Sequence, residues 1–277
     1  MLYNHDFKGF LLVSDMDRTL ITDTFEVPQR NIEAIGRFIE KGGRFSLATG
    51  RVASSAAKYL HRVPINAPSI LSNGASIYDF NENKILWNTA LPATAHELLQ
   101  RILERFPDIG AEVYFDEQIY IINENEWTAR HIINEGFDYV KTGLSDAPSG
   151  WQKILFSDEN ARLREVDAFV RQIGHDGMDV VFSNTMYYEI LAKDVTKGTA
   201  LHRLAGILGI PVTHTIGIGD YYNDTALVEM AAFGATVAGA PKELVDAARF
   251  VTGRCEDGAV ADLIEFLEQT PGLFPDC

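Results

Sequence analysis

Short apolar runs alternate with amphipathic helical stripes in the first third of the chain and again in the last third, which restricts the fold to βαβ units around a mostly parallel sheet. Phe10-Leu11-Leu12-Val13 reads as a buried strand and Arg44 to Ala48 as the next. Between them Ile32, Ile35, Phe38 and Ile39 fall on one helical stripe that stops at Lys41-Gly42-Gly43. Ile70-Leu71 gives a third strand, running into the turn signal Asn73-Gly74. Late in the chain, Thr215 to Ile218 and Ala235 to Ala238 read as strands, Thr225 to Ala232 as a helix, and Leu263, Ile264 and Leu267 mark a closing helix.

The middle has a different pattern. Paired strand-like runs, Glu112 to Phe115 and Gln118 to Ile122, sit among helices over Ala93 to Phe106 and Asn160 to Ile173. The expected fold class is therefore α/β, a Rossmann-like, doubly wound, mostly parallel core interrupted by an α+β insertion. By pattern change alone, residues 1–83 and 188–277 form the core and 84–187 the insertion. A chain of 277 residues is long enough for two such units.

With 24 basic against 39 acidic residues the net charge is -15, the wrong sign for a nucleic-acid or anionic-membrane partner. An anionic metabolite remains open if a metal, a lysine or a helix N-terminus supplies local positive potential. The opening MLYNHDFKGF has no basic region followed by an apolar one, and no apolar run approaches the roughly 18 residues of a membrane span. A cytoplasmic protein, monomeric or a small homo-oligomer, is expected. Cys255 and Cys277 are too few for a disulfide framework, and the seven histidines lack zinc-site spacing.

Chemistry concentrates at strand ends, where open α/β sheets bind ligands. The first strand delivers Asp15-Met16-Asp17, two carboxylates that can serve one site as nucleophile or ligand and as acid/base. The second ends in Thr49-Gly50-Arg51 before a helical segment from Val52 to Leu60: a hydroxyl, a glycine and a helix N-terminus that together suit an anion. Lys197 adds a compact positive charge, and Gly219-Asp220 with Asn223-Asp224 follows an apolar strand. Acidic groups at several strand ends suit a hard cation. Each segment alone is compatible with an ordinary turn or a solvated side chain; their combination is not.

Taken in order, Asp15-Met16-Asp17-Arg18-Thr19-Leu20, Ala48-Thr49-Gly50-Arg51, Lys197-Gly198 and Gly219-Asp220 with Asn223-Asp224 resemble the four motifs of the haloacid dehalogenase-like hydrolases. The likeness is to the Cof-type phosphatases, which carry a large type II (B subtype) cap between the second and third motifs. Ser72-Asn73-Gly74-Ala75 and Glu256-Asp257-Gly258-Ala259-Val260 add to it.

The resemblance implies a phosphatase for a small phosphorylated metabolite, such as a sugar phosphate. Asp15 would be the nucleophile, Asp17 the acid/base and Lys197 the neutralising cation. Thr49, Gly50, Lys197 and Asn223 would bind the phosphate. Mg²⁺ would be held by the Asp15 and Asp220 carboxylates and the Asp17 carbonyl, with Asp224 close behind. A phosphomutase, or a retired enzyme acting as a sensor, is the alternative. Arg18 departs from the family, which has glycine there, and Val237-Ala238-Gly239-Ala240-Pro241 replaces an Asn-Ala pair. In the cap, Trp127, Arg130, His131, Trp151 and Tyr187 are read as packing residues.

Overall fold

The structure, a computed structural model, describes residues 6–270, 272 and 273; Cys277 lies outside them. The N-terminal part gives strands β1 (Leu11–Ser14), β2 (Arg44–Leu47), β3 (Ser69–Leu71), β4 (Ser76–Asp79) and β5 (Lys84–Asn88), with helices α1 (Gln29–Glu40) and α2 (Ala53–Leu60). The middle holds α3 (Thr94–Arg105), β6 (Gly110–Phe115), β7 (Gln118–Asn123), α4 (Glu126–Glu135), β8 (Tyr139–Lys141), β9 (Lys153–Ser157), α5 (Asn160–Ile173), β10 (Met178–Asn184) and β11 (Tyr187–Ala192). The chain closes with α6 (Lys197–Leu208), β12 (Thr215–Gly219), α7 (Thr225–Met230), β13 (Phe233–Thr236), α8 (Lys242–Ala247), β14 (Phe250–Val251) and α9 (Ala259–Gln269).

The core sheet has the order β14-β13-β12-β1-β2, and every pair in it is parallel. Period-2 alternation explains why β1 is apolar throughout. Phe10 and Leu12 pack with Phe38, Phe45 and Ile264 on one face, while Leu11 and Val13 pack with Leu201, Leu204 and Leu227 on the other. A parallel sheet covered by helices on both faces needs that unbroken run. From β1 the chain moves outward to β2, and on its return it starts at β12 and moves outward the other way to β13. The crevice at the C-terminal ends of β1 and β12 is thus the topological switch point, where such sheets bind ligands.

The inserted cap is a six-stranded sheet, β10-β11-β9-β6-β7-β8, antiparallel except between β7 and β8. On its outer face Val113, Ile154, Phe156 and Ile190 pack with α3 and α5 through Leu99, Ile102, Leu163 and Val166. The intervening residues of the same strands, among them Tyr114, Leu155 and Tyr187, pack with Val52 of the core. Sheet membership differs from the pattern-based joins at both ends. β5 pairs with β4, so the strand beginning at Lys84 belongs with the core side. β11 carries the cap pairing past Tyr187 to Leu191 and Ala192. β11 is buried along almost its whole length and so shows no break where the chain leaves the cap, whereas β5 is half-exposed and is tied to the core side only by its pairing with β4. Among the described residues no helix is long and apolar enough to cross a membrane.

One close approach fixes the helix that carries Lys197. A Cβ on Gly198 would stand 2.2 Å from the Ala226 carbonyl oxygen of α7, far inside contact distance. Gly198→Ala is therefore expected to push α6 from α7, costing about 1–3 kcal/mol in urea unfolding. A variant with unchanged unfolding would contradict this packing.

Candidate active site

Asp15 follows β1 directly and stays on the sheet, because its backbone N–H donates to the Ile218 carbonyl at 2.9 Å. Lys197, the first residue of α6, is fully buried and donates 2.6 Å hydrogen bonds to Asp15 Oδ1 and Asp224 Oδ1. The Thr196 hydroxyl caps α6 through the Thr199 N–H, which sets where the helix begins. Asp224 is fixed from its other oxygen by the backbone N–H groups of Asp220 and Tyr221, at 3.0 and 3.1 Å. Four of the sequence-predicted residues, Asp15, Lys197, Asp220 and Asp224, therefore meet at the switch point.

Their charges do not balance. One oxygen from each of Asp15, Asp220 and Asp224 lies within 4.8 Å of the others, against a single lysine. Burial and then the Asp224 carboxylate push Asp15 up to about 7 against the pull of Lys197. Burial, with Asp15 and Asp224, raises Asp220 well above the ordinary carboxylate range. The same two partners hold Lys197 above its usual value although burial opposes its charge. Raised carboxylates around a charged lysine mark a site short of positive charge.

An all-oxygen donor set of this kind fits a hard divalent cation. Asn223 Oδ1, buried and without a hydrogen-bond partner, adds an unused acceptor on a residue that lines the same cavity as Asp15 and Asp220. Both oxygens of Asp224 are engaged, by Lys197 and by two N–H groups, whereas Asp15 and Asp220 each keep one carboxylate oxygen without a hydrogen bond among the described residues and could hold a cation.

Asp17 stands apart from the acidic cluster. Its carboxylate is gripped by Arg51, Nε to Oδ2 at 2.9 Å and Nη2 to Oδ1 at 2.6 Å. Arg51 is buried, bonded to Ser55 Oγ at 2.8 Å, and 3.6 Å from Glu135 of the cap. Arg18 takes φ +62°, the left-handed conformation that explains glycine at this position in the family and costs another residue roughly 1 kcal/mol. Its side chain pairs with Asp23 at 3.3 Å at the cavity mouth.

The second motif is arranged differently from a simple anion cradle. Gly50 lines the cavity, but Thr49 lies behind it, fully buried, with Oγ1 accepting the Arg51 N–H at 3.2 Å. The first N–H of α2, on Ala53, donates to Glu117 of the cap at 2.7 Å. A cap carboxylate thus occupies the helix N-terminus that the sequence offered to a ligand. Asn223 donates to Asn73 at 3.0 Å, and Asn73 donates to Glu189 of the cap at 2.8 Å.

Core and cap enclose a cavity of about 350 Å³ with Asp15, Asp17 and Asp220 on its floor. Its cap wall includes His131, Glu135, Lys153, Tyr187 and Glu189. Sequence reasoning passed over Glu135, Lys153 and Glu189, read His131 and Tyr187 as packing, and gave Arg51 no role beyond its place in the second motif. The available signal was a charged residue at an alternate position of an otherwise apolar strand, as in Lys153 of β9 and Glu189 of β11. Trp151 is packed in the cap core, and Trp127 stacks under Arg130 at 4.5 Å, as the packing reading expects. His131 and Tyr187 are the exceptions to it.

His131 is buried between two carboxylates, Nδ1 2.9 Å from Glu112 and Nε2 3.2 Å from Glu135. Burial disfavours its charged form, but the two carboxylates outweigh burial and raise it to about 10. A group raised on folding stabilises below its unfolded pKa, near 6.5, and loses that contribution as pH climbs through the folded value. The urea midpoint is accordingly expected to fall between pH 6.5 and 10, and His131→Gln to remove most of that slope. An equal slope in the variant would show that His131 is not the titrating group.

The sequence model of the haloacid dehalogenase-like hydrolases matches residues 12–264. A protein of Buchnera aphidicola subsp. Baizongia pistaciae, named provisionally as a phosphatase, is 30% identical over 236 residues, covering 81% of this chain and 85% of that one. The HMP-PP phosphatase of Serratia proteamaculans is 26% identical over 271 residues, 95% of this chain and 97% of that protein. A solved structure described as a HAD subclass IIB sugar phosphatase superposes with a TM-score of 0.82 at 19% identity, over 93% of this chain and 98% of the other, which is a likeness of fold. A motif-bearing crevice, the inserted cap and a family match over nearly the whole length agree: this chain belongs to the haloacid dehalogenase-like hydrolases.

Proposed function

We propose that this phosphoric monoester hydrolase passes the phosphoryl group of a small phosphorylated metabolite to Asp15 and from there to water. The carrying observation is the Asp15 carboxylate itself, held at Oδ1 by buried Lys197 with Asp17 two residues away. Oδ2 has no hydrogen bond among the described residues and is the oxygen left to attack phosphorus. As the new P–O bond forms, the ester P–O bond breaks, and Asp17 in its protonated form gives its proton to the departing oxygen. Asp17, now a carboxylate, takes a proton from water as that water attacks phosphorus. The Asp15–phosphorus bond then breaks and inorganic phosphate leaves.

Arg51 spends two of the roughly four acceptor positions of the Asp17 carboxylate and fixes its orientation, leaving the others to the cavity. Lys197 keeps the Asp15 oxygens from repelling an incoming phosphate. A divalent cation, Mg²⁺ by family resemblance, would be held by the Asp15 and Asp220 carboxylates and the Asp17 carbonyl, and would supply positive charge to the phosphoryl oxygens. Gly50 and Asn223 line the phosphate end, with Thr49 supporting Gly50 from behind. The relatives' names, an HMP-PP phosphatase and a sugar phosphatase, support a small metabolite as substrate.

The test is phosphate release from p-nitrophenyl phosphate and a panel of sugar, nucleotide and cofactor phosphates, with and without Mg²⁺. Mg²⁺-dependent release is expected. A folded protein that releases no phosphate from any ester would overturn the reading, and phosphate found on a second sugar hydroxyl would make it a mutase.

A further inference from the structure

Glu189, Asn73 and Asn223 link the cap to the phosphate end of the cavity, and their hydrogen-bond chemistry allows one orientation. Glu189 of β11, 1% exposed, accepts from Lys153 Nζ at 3.0 Å, and a carboxylate has no proton to give in return. Its other neighbour, Asn73, must turn Nδ2 toward it, and does so at 2.8 Å from Oε2. Asn73 Oδ1 is then the end that meets Asn223, and it accepts from Asn223 Nδ2 at 3.0 Å. The Asn223 amide is thus fixed with its nitrogen toward Asn73 and its Oδ1 buried without a partner. A buried orphan acceptor is costly, and the order of donors and acceptors running back to Glu189 explains why it is kept.

Asn73 is held for this link in an unusual conformation. Ser72 and Asn73 both have left-handed backbone, φ +49° and +56°, which asparagine tolerates better than most residues. The loop is pinned to the second motif, the Ser72 N–H donating to the Arg51 carbonyl at 3.1 Å and the Asn73 N–H to the Thr49 carbonyl at 2.9 Å. Strain that the surroundings hold in place at a buried position points to a task there. The same cap ion pair also reaches the second motif directly, because Lys153 Nζ donates to the Gly50 carbonyl at 2.9 Å. The Gly50 N–H has no hydrogen bond among the described residues.

We propose that Glu189 and Asn73 are positioning residues for the phosphoryl group: through them the cap aims an Asn223 N–H at the phosphate, while Lys153 holds Gly50 with its N–H open to the same group. The proposal rests on the phosphatase reading above and adds the residues that orient its phosphate donors. Asn223 Nδ2 carries a second N–H, unbonded among the described residues, on a side chain that lines the cavity with Asp15. Flipping the amide would put an oxygen lone pair where that N–H points, and an oxygen there repels phosphate. A carboxylate at Glu189 forbids the flip, since it leaves Asn73 only its oxygen to offer.

The experiment measures inorganic phosphate as a competitive inhibitor of p-nitrophenyl phosphate at saturating Mg²⁺, in wild type, Glu189→Gln, Asn223→Ala and the double variant. Glutamine offers Asn73 a donor as well as an acceptor, so the amide order is no longer enforced. The phosphate inhibition constant is expected to rise about tenfold in Glu189→Gln, the loss of one bond to a charged group. It should rise about as much in Asn223→Ala and little further in the double variant, because both substitutions remove the same contact. KM should rise in parallel, with kcat falling less. Asn73→Gly keeps φ +56° accessible and leaves the Lys153–Glu189 pair alone, and it is expected to match Glu189→Gln. An inhibition constant unmoved in either variant, or effects that multiply to about a hundredfold in the double variant, would overturn the inference with the phosphatase intact. A folded wild type that releases no phosphate would instead overturn the phosphatase reading, and this inference with it.

Discussion

Asp15→Asn is expected to lower kcat by about 10⁴-fold or more and to leave the fold in place. An amide of the same shape keeps the sheet hydrogen bond from the residue 15 N–H to the Ile218 carbonyl. What it removes is the carboxylate oxygen proposed to attack phosphorus. The native protein tolerates this neutralisation, because burial and Asp224 already push Asp15 up to about 7. By the linkage rule, a carboxyl raised on folding weakens the metal-free protein as pH rises from 3.8 toward 7. At neutral pH in EDTA the variant should therefore melt no lower than wild type.

Mg²⁺ should separate the two proteins. At about 100 times its Kd a cation bound only to the folded state adds about 2.7 kcal/mol. Wild type is expected to gain stability of that order, and Asp15→Asn much less, since one of the two carboxylates with an open oxygen is gone. Differential scanning with and without Mg²⁺, alongside single-turnover assays, reads both effects. A folded variant with near-normal turnover would remove Asp15 from the chemistry, and an equal Mg²⁺ shift would remove it from the cation site.

The floor of this site was legible in the sequence because strand-end residues are local signals. Asp15 and Asp220 each follow an apolar run directly, and a sheet of known hand brings such ends together. Lys197 was legible only as part of a motif, since nothing local says that a helix-starting lysine will be buried between two carboxylates. The cap wall was hidden for a different reason. Glu112, Lys153 and Glu189 sit on three neighbouring strands, and they meet because β6, β9 and β11 pair in an order the chain does not reveal. Arg51 was visible beside Gly50, but its partners Asp17 and Glu135 lie 34 residues before it and 84 after it. Likewise Glu117, a hairpin residue in sequence, gains its role only when the cap lies on α2.

Lys197→Met is expected to damage stability and catalysis together, and a second substitution can take them apart. Methionine fills similar space without charge, so the loss is electrostatic and not a cavity. Removing the cation leaves Asp15 and Asp224 buried and facing one another without their shared partner. Breaking a buried pair in this way costs about 3–5 kcal/mol, read as a lower urea midpoint, and turnover should fall at least about 10³-fold as the phosphoryl group loses that charge. In Lys197→Met with Asp224→Asn, one of the stranded carboxylates is neutral. The amide can still accept the Asp220 and Tyr221 N–H bonds that Asp224 Oδ2 accepts now. The double variant should therefore recover roughly half of the lost stability and none of the lost turnover, because no positive side chain has been returned to Asp15. If Lys197→Met were as stable as wild type, the site would not be short of positive charge, and the argument for a cation beside Asp15 and Asp220 would lose its footing. If the double variant regained turnover, Lys197 would be a structural counter-charge to Asp224 and not a partner in phosphoryl transfer.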